Sequence, residues 1–259
     1  MKTPQTNNSI PQLVAHRGYM QLYPENSWMG IKAAMSAGAC WVEFDVQMCR
    51  DDRFVLLHDS TLRRTANSNK NVFHIPPNEF KNISVHEPDR FGTKYYPLPI
   101  TTLDSVLRKL SNFPHIKAMV EIKEESLEYW GVVRVMEQLL RQLETSRDRC
   151  VLISFSYKAL EYARAHSHIE IGWVLHGYDN DHKCQAATLK PNYLICNHDK
   201  LPKKLPPWPG PWRWVLYDIT SPQTALEWGE MGIDLIETGE IGLMLRDEKL
   251  VTRACYHGV

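Results

Sequence analysis

The chain has 259 residues, of which 43% are hydrophobic, 23% are charged and 10% are aromatic, and its 30 basic residues balance its 30 acidic ones. This composition excludes a disordered chain, and the 13 glycines and 16 prolines are too few for a collagen-like or low-complexity chain. A net charge of zero gives no basic footprint for the phosphates of a polynucleotide, so we expect no nucleic-acid partner.

The start of the chain, MKTPQTNNSIPQLVAHRG, has polar residues and two prolines where a secretion signal would have an apolar stretch. Charged residues also interrupt every apolar run before it reaches the roughly 18 residues that a membrane helix requires. We therefore expect a soluble, cytoplasmic protein without stable membrane insertion. The six cysteines lack the spacing of a zinc site, and we interpret them as reduced thiols. They are Cys40, Cys49, Cys150, Cys184, Cys196 and Cys255.

Short apolar runs alternate with longer amphipathic segments along the chain, a pattern that is typical of βαβ units around a parallel sheet. Strands are predicted at 13–16, 40–47, 117–123, 150–155, 170–175, 193–197, 213–219 and 234–238. Helices are predicted at 26–37, 126–144, 156–166 and 221–231. The length alone allows one domain or two, but eight strands with helical crossovers predict an α/β fold, a single (β/α)8 TIM barrel over residues 1–259.

The alternation is interrupted after the second strand, between about 59 and 100. Two short β-like runs, at 53–58 and 95–100, border a polar stretch that contains prolines, and the helix of TTLDSVLRKL follows. Because this stretch begins where a βα loop leaves the carboxyl-terminal mouth of a barrel, we expect a small inserted subdomain over that mouth.

A second irregular segment, 201–214, contains Trp208, Trp212 and Trp214 and leads into the seventh strand. Two interpretations remain open at this point. The segment is either a proline-stiffened surface connection with packed tryptophans or an aromatic wall beside a substrate.

Carboxylates lie near the carboxyl ends of the predicted strands, where barrel active sites form. Glu43 and Asp45 are two residues apart, so they project from one face of their strand, and Glu121 repeats the pattern on the next barrel strand. Unpaired carboxylates on a buried face would repel one another, so a divalent cation or paired bases must accompany them. Three oxygen ligands favour one Mg²⁺ or Ca²⁺, with Mn²⁺ as a further option, over zinc.

Two histidines and two cationic residues end the same group of strands. The imidazoles of His16 and His58 can exchange protons near neutral pH, so they suit acid and base roles. Arg17 and Lys123 add positive charge, and the planar fork of an arginine suits phosphate oxygens. A cation, two histidines and two positive side chains together match attack at a phosphodiester.

Four ordered motifs closely resemble those of the glycerophosphodiester phosphodiesterase family. They are VAHRGYMQLYPENS at 14–27, GACWVEFDVQ at 38–47, FVLLHDSTLRRT at 54–65 and VEIK at 120–123. A weaker resemblance continues through ISF at 153–155 and GIDLIET at 232–238. The resemblance implies a TIM barrel with a small inserted subdomain. It also implies a divalent cation on Glu43, Asp45 and Glu121, an acid/base pair of His16 and His58, and phosphate contacts from Arg17 and Lys123.

The implied substrates are small glycerophosphodiesters, such as glycerophosphocholine or glycerophosphoethanolamine. In the implied reaction a glycerol hydroxyl attacks phosphorus and expels the alcohol, and water opens the resulting cyclic phosphate to give glycerol 3-phosphate. The resemblance also indicates that Glu25 and Asn26 order the loop beneath His16.

The sequence departs from the family pattern at three places. Asp52 replaces a turn glycine, Tyr217 stands where a tryptophan is frequent, and Thr238-Gly239 replaces a Thr-Asp pair. Asp tolerates the turn conformation, so the first change should not affect catalysis. The other two alter the far wall of the site and bear on the choice of substrate.

An alternative function is a phospholipase-type phosphodiesterase acting on lysophospholipids or related lipids. Trp208, Trp212 and apolar residues within 73–96 would then contact lipid, although no basic amphipathic segment marks a membrane surface. A non-catalytic binding module is disfavoured, because it would be expected to lack a metal ligand or a histidine. The sequence makes no prediction of oligomeric state.

Overall fold

The computed structural model describes residues 9–202 and 205–255. Its strands are β1 (Gln12–Ala15), β2 (Trp41–Met48), β3 (Phe54–Leu56), β4 (Lys117–Ile122), β5 (Cys150–Ser154), β6 (Glu170–Val174), β7 (Tyr193–Asn197), β8 (Arg213–Tyr217) and β9 (Leu235–Thr238). Parallel pairing runs in the order β1-β9-β8-β7-β6-β5-β4-β2, and β2 pairs with β1 to close the ring. The eight predicted strands and the TIM barrel are confirmed. Residues 1–8, which begin the stretch predicted to lack a secretion signal, lie outside the described part.

The helices in the described residues are α1 (Trp28–Ser36), α2 (Arg63–Ala66), α3 (Pro88–Phe91), α4 (Leu103–Leu110), α5 (Glu124–Trp130), α6 (Val132–Leu143), α7 (Tyr157–His166), α8 (Asn180–Leu189), α9 (Pro222–Glu230) and α10 (Ile241–Met244). The prediction of one helix at 126–144 is wrong, because Gly131 adopts φ 84° and separates α5 from α6. The other three predicted helices are confirmed, within a few residues at each end. None of the helices in 9–202 and 205–255 combines the length and the apolarity needed to cross a membrane.

Side chains on the barrel strands alternate between two hydrophobic layers. One layer fills the barrel and includes Val14, Trp41, Met119, Val215 and Leu235, while the other packs the outer faces of the strands against the helices. Successive residues of a strand point to opposite faces, so Glu43 and Asp45 share the inward face with Trp41. By the same rule Glu121 points inward with Met119. The barrel therefore directs these three carboxylates into its own mouth.

The insertion after the second strand has its own small core, built from apolar residues that include Leu62, Phe73, Phe80 and Ile100. It follows β3, which pairs antiparallel with β2 after a turn in which Asp52 has φ 56°, as the replacement of glycine by aspartate allows. The predicted β-like run at 95–100 does not form a strand. It contributes only the isolated bridge between Ser84 and Pro99.

The segment 201–214 connects β7 to β8, and its described residues contain no α-helix. The rings of Tyr178 and Trp208 stack with 4.0 Å between their centroids, and the indole N–H of Trp214 donates to the carbonyl of Trp208 at 3.0 Å. Both tryptophans, together with Trp212, pack against the outer layer rather than the interior of the barrel. This favours the surface connection with packed tryptophans over an aromatic wall beside a substrate.

The prediction of reduced thiols is wrong for two of the six cysteines. Cys40 and Cys255 form a disulfide across 215 residues of sequence, a separation at which spacing carries no signal of pairing. The backbone N–H of Cys255 donates to the carbonyl of Gly38 at 2.9 Å, which holds the end of the described chain against the loop before β2. The remaining four cysteines are free thiols.

Candidate active site

The turn after β1 brings His16 and Arg17 to the barrel mouth. Gly18 is required there, because it has φ 80° and an added Cβ would lie 2.7 Å from the backbone of Gly30. The backbone N–H of Arg17 donates to Glu43 Oε2 at 2.9 Å. This close packing of the turn against α1 fixes the direction in which both side chains leave β1.

Glu43, Asp45 and Glu121 form one acidic cluster, in which an oxygen from each lies within 4.8 Å of the others. Asp45 and Glu121 are register partners on the neighbouring strands β2 and β4. Glu43 Oε1 is buried and has no hydrogen-bond partner in the described part of the chain. Three carboxylates with a free buried oxygen fit a hard divalent cation such as Mg²⁺ or Ca²⁺. The acidic residues can therefore bind a metal ion.

The two predicted phosphate-binding cations lie on the acidic cluster. Lys123 Nζ is 2.7 Å from Glu121 Oε1 and 3.5 Å from Asp45 Oδ1. Arg17 Nε is 3.0 Å from Asp45 Oδ2. Asp45 thus has a positive side chain on each of its two oxygens.

Burial and neighbouring charges shift the pKa values of the three carboxylates in different directions. Burial and the charge of Asp45 raise the pKa of Glu121 to about 7, and burial with the charges of Asp45 and Glu237 raises the pKa of Glu43 well above its ordinary value. Burial also acts against the charge of Asp45, but Arg17 and Lys123 outweigh it and hold the pKa of Asp45 well below its usual range. Asp45 is therefore the carboxylate that stays ionised most readily, and the cluster as a whole is short of positive charge.

The two histidines have different surroundings. Burial and the neighbouring charge of Arg17 lower the pKa of His16 to about 4. His58 Nδ1 lies 2.7 Å from Asp59 Oδ1, and Asp59 Oδ2 accepts from Arg64 Nε at 2.9 Å. The charge of His58 contributes to the pKa shifts of His16 and Asp45, so His58 faces the same cluster.

Asn26 positions Asp45 through two hydrogen bonds. Asn26 Nδ2 donates to Asp45 Oδ2 at 2.9 Å, and the backbone N–H of Asp45 donates to Asn26 Oδ1 at 3.0 Å. Glu25 instead accepts from Arg17 and Arg64. The loop from Pro24 to Ser27 therefore lies against the cluster.

The structure brings all seven predicted site residues to one end of the barrel, and it adds residues that we did not predict. Glu237 on β9 is buried, and its Oε1 lies 3.4 Å from His16 Nε2. Its alternation with Leu235 near the end of a barrel strand is the same signal that identified Glu43, so it could have been found. Tyr217, predicted from the sequence to lie in the far wall of the site, borders the inner layer. Arg64 lies in the polar insertion, where no periodicity distinguishes it.

The protein is a TIM barrel with eight parallel strands. The mouth of the barrel brings together carboxylates, two histidines and two positively charged side chains, and its carboxylates can bind a metal ion. The sequence model of the glycerophosphoryl diester phosphodiesterase family matches residues 16–204. The chain belongs to this family.

Two curated relatives are named glycerophosphodiester phosphodiesterase. The one from Caldanaerobacter subterraneus subsp. tengcongensis is 29% identical over 161 residues, and the one from Bacillus altitudinis is 27% identical over 163 residues. Each match covers 62% of this chain and 65% of the relative, so the similarity spans somewhat less than two thirds of those proteins.

Solved structures share the fold at lower identity. An Oleispira antarctica phosphodiesterase in complex with its product sn-glycerol-3-phosphate has a TM-score of 0.80 at 22% identity, covering 92% of this chain and 96% of that one. A glycerophosphodiester phosphodiesterase from Agrobacterium tumefaciens has a TM-score of 0.73 at 19% identity, covering 92% and 100%. These likenesses establish the architecture.

Proposed function

We propose that this chain is a metal-dependent glycerophosphodiester phosphodiesterase, which hydrolyses substrates such as glycerophosphocholine or glycerophosphoethanolamine to glycerol 3-phosphate and an alcohol. The observation that carries the proposal is the cluster of Glu43, Asp45 and Glu121 beside His16 and Arg17 at the barrel mouth. Membership of the family supports it. The bound product in the Oleispira antarctica relative indicates the chemistry of the small-molecule substrate.

Glu43, Asp45 and Glu121 would hold one Mg²⁺ or Ca²⁺, with Mn²⁺ as a further candidate. When bound, such an ion supplies Lewis-acid stabilisation of charge on the phosphoryl oxygens. Arg17 and Lys123 neutralise Asp45 and Glu121 from the side and add donors for the same oxygens. Asn26 holds Asp45 in the orientation that the cluster needs.

His16 and His58 move the protons of the reaction. One accepts a proton from the attacking glycerol hydroxyl, and the other donates a proton to the leaving alcohol. Asp59 accepts from Nδ1 of His58 and so leaves Nε2 free to face the substrate. His16 Nε2 lies 4.0 Å from Glu43 Oε2, next to the proposed metal ligands, which supports its role in proton transfer.

The extent of the domain, residues 1–259 with an insertion at about 59–100, stays a prediction, as does the absence of a nucleic-acid partner. A cytoplasmic location also stays a prediction. The disulfide between Cys40 and Cys255 weighs against it, because disulfides are rare in reducing compartments.

The decisive experiment is a substrate panel assayed by release of glycerol 3-phosphate or of the free alcohol. The panel contains glycerophosphocholine, glycerophosphoethanolamine, lysophosphatidylcholine and bis(p-nitrophenyl) phosphate, each with EDTA, Mg²⁺, Ca²⁺ or Mn²⁺. We expect turnover of the water-soluble glycerophosphodiesters, loss of turnover in EDTA and recovery with Mg²⁺ or Ca²⁺. Preferred cleavage of lysophosphatidylcholine would favour the lipid alternative, and activity that survives thorough chelation would contradict metal dependence.

The Glu43→Gln variant tests the proposed metal site without disrupting the fold. Gln keeps the size of Glu43 and an oxygen for the Arg17 backbone N–H, but it removes the charge that a cation needs. Glu128→Gln, an exposed change on α5, is the matched control. Equal activity of both variants would exclude Glu43 from the metal site.

A further inference from the structure

One arginine joins two halves of the barrel mouth that come from distant parts of the sequence. Arg64 lies on α2, within the insertion. Its Nε donates to Asp59 Oδ2 at 2.9 Å. Its Nη1 and Nη2 donate to the two oxygens of Glu25, at 2.6 and 2.8 Å. A single guanidinium therefore binds two carboxylates at once.

Each of these carboxylates in turn holds a residue to which we have assigned a role. Asp59 Oδ1 lies 2.7 Å from His58 Nδ1, which fixes the ring that moves a proton. Glu25 Oε1 accepts from Arg17 Nη1 at 3.2 Å, which fixes the arginine that faces phosphate. Arg64 is thus linked to His58 and to Arg17 through one carboxylate each.

The shape of a guanidinium makes this arrangement specific. Its donors lie in one rigid plane, so the position of Asp59 and the position of Glu25 are set together. A lysine at the same place offers a single point charge on a flexible chain and cannot hold both carboxylates in fixed orientation. The contact depends on the identity of the side chain and not only on its charge.

The insertion also supports Glu25 from a second direction. The backbone N–H of Glu25 donates to Glu87 Oε1 at 2.5 Å. Glu87 is buried and is held by Arg90 Nη1 at 2.6 Å. Two separate parts of the insertion therefore contact the Glu25 loop, one through its side chain and one through its backbone.

We infer that Arg64 is a positioning residue that aligns His58 through Asp59 and Arg17 through Glu25, so that the insertion sets the geometry between the proton-transfer and phosphate-binding halves of the site. The inference rests on the proposed function and adds a residue outside the seven assigned above. It predicts that loss of Arg64 lowers kcat through Asp59 and His58, which we call the His58 branch. It also predicts that this loss raises KM through Glu25 and Arg17, which we call the Arg17 branch.

The test is steady-state kinetics on glycerophosphocholine with Arg64→Gln, Arg64→Lys and the control Arg63→Gln, which changes the exposed neighbouring arginine on the same helix. Loss of a positioning partner typically costs about 10- to 100-fold, so we expect kcat/KM of Arg64→Gln to fall by about that factor. Arg63→Gln should match the wild type. Arg64→Lys should recover only part of the loss. Thermal unfolding of each variant confirms that it is folded.

Two double variants distinguish positioning from a general structural role. In an Asp59→Asn background the His58 branch is already broken, so adding Arg64→Gln should raise KM and leave kcat unchanged. In a Glu25→Gln background the Arg17 branch is broken, so adding Arg64→Gln should lower kcat and leave KM unchanged. A merely structural role would give the same additional loss in both backgrounds and in the wild type.

The outcomes separate this inference from the proposed function. A wild-type protein that cleaves none of the phosphodiesters contradicts the proposed function. An active wild type together with an equally active Arg64→Gln, or with fully additive losses in both backgrounds, overturns only the role of Arg64. If Arg64→Gln does not fold, Arg64→Lys in the two backgrounds provides the same test, because it keeps the charge while losing the planar fork.

Discussion

Replacing Glu121 by Gln should stabilise the metal-free protein, and the gain should grow with pH. Glu121 lies beside Asp45 with its side chain 12% exposed, and its pKa is raised to about 7 from an ordinary value of 4.5. A raised carboxyl pKa means that the folded state holds a proton that the unfolded state releases, so stability falls as pH rises from 4.5 towards 7. Gln carries no charge and still offers an oxygen to Lys123, whose Nζ is 2.7 Å from Glu121 Oε1.

The size of the effect follows from the pKa difference. One pKa unit corresponds to about 1.4 kcal/mol, so a fully ionised Glu121 destabilises the fold by about 3 kcal/mol at pH 8. At pH 5 the side chain is protonated in the folded state and only partly ionised in the unfolded state, and the same linkage gives about 1 kcal/mol. The advantage of Glu121→Gln over the wild type should therefore increase by about 2 kcal/mol between these two pH values.

Urea unfolding in EDTA at pH 5 and pH 8 measures this difference, with Glu128→Gln as the control for removing an exposed charge from α5. Saturating Mg²⁺ or Ca²⁺ should strongly reduce this advantage at pH 8, because a cation stabilises the wild type by about 2.7 kcal/mol at 100 times its Kd and binds the variant, which has one ligand fewer, more weakly. An advantage of Glu121→Gln that does not change with pH would refute the assignment of a repelled, largely buried carboxylate at this position.

Two further predictions concern catalysis and stability. His16→Ala and His58→Ala should each leave a folded protein whose kcat on glycerophosphocholine falls by about 100- to 10,000-fold, and near-wild-type turnover of either variant would remove that histidine from the reaction. Cys255→Ser should lower the free energy of unfolding by up to about 5 kcal/mol, because the disulfide closes a loop across 215 residues. Urea unfolding of Cys255→Ser beside Cys184→Ser, which removes an exposed free thiol, measures that loss, and equal stability of the two variants would contradict it.

The barrel could be predicted because its signal is local and repeated. Each strand is a short apolar run bounded by polar residues, and all eight barrel strands match the predicted ranges to within two residues at each end. The carboxylates followed from the same alternation, which places Glu43 and Asp45 on one face of β2. Periodicity failed at Gly131, where a single residue with φ 84° interrupts an otherwise continuous helical pattern.

Contacts that depend on the closed shape of the barrel could not be predicted in this way. The pairing of Cys40 with Cys255 and the bridge from Arg64 to Glu25 join segments whose separation along the chain gives no indication of their proximity. The family resemblance predicted that Asn26 orders the loop beneath His16, but it did not predict the hydrogen bonds of Asn26 with Asp45. Local patterns identify which side chains enter the mouth, whereas tertiary contacts decide which of them meet.

The balance of charge at the mouth supports the proposal that a cation binds at this site. Among the described residues, six carboxylates (Glu25, Glu43, Asp45, Asp59, Glu121 and Glu237) face three cationic side chains (Arg17, Arg64 and Lys123). Such an excess repels the anionic phosphodiester that the site is proposed to bind, unless protons or a divalent cation offset it. Protons and a cation compete for the same oxygens. The pKa of Glu121 is raised to about 7, which favours a proton there up to near-neutral pH, and the pKa of Glu43 is raised in the same direction. Metal affinity should therefore increase through this range, and substrate binding should depend on prior metal binding more strongly at high pH than at low pH.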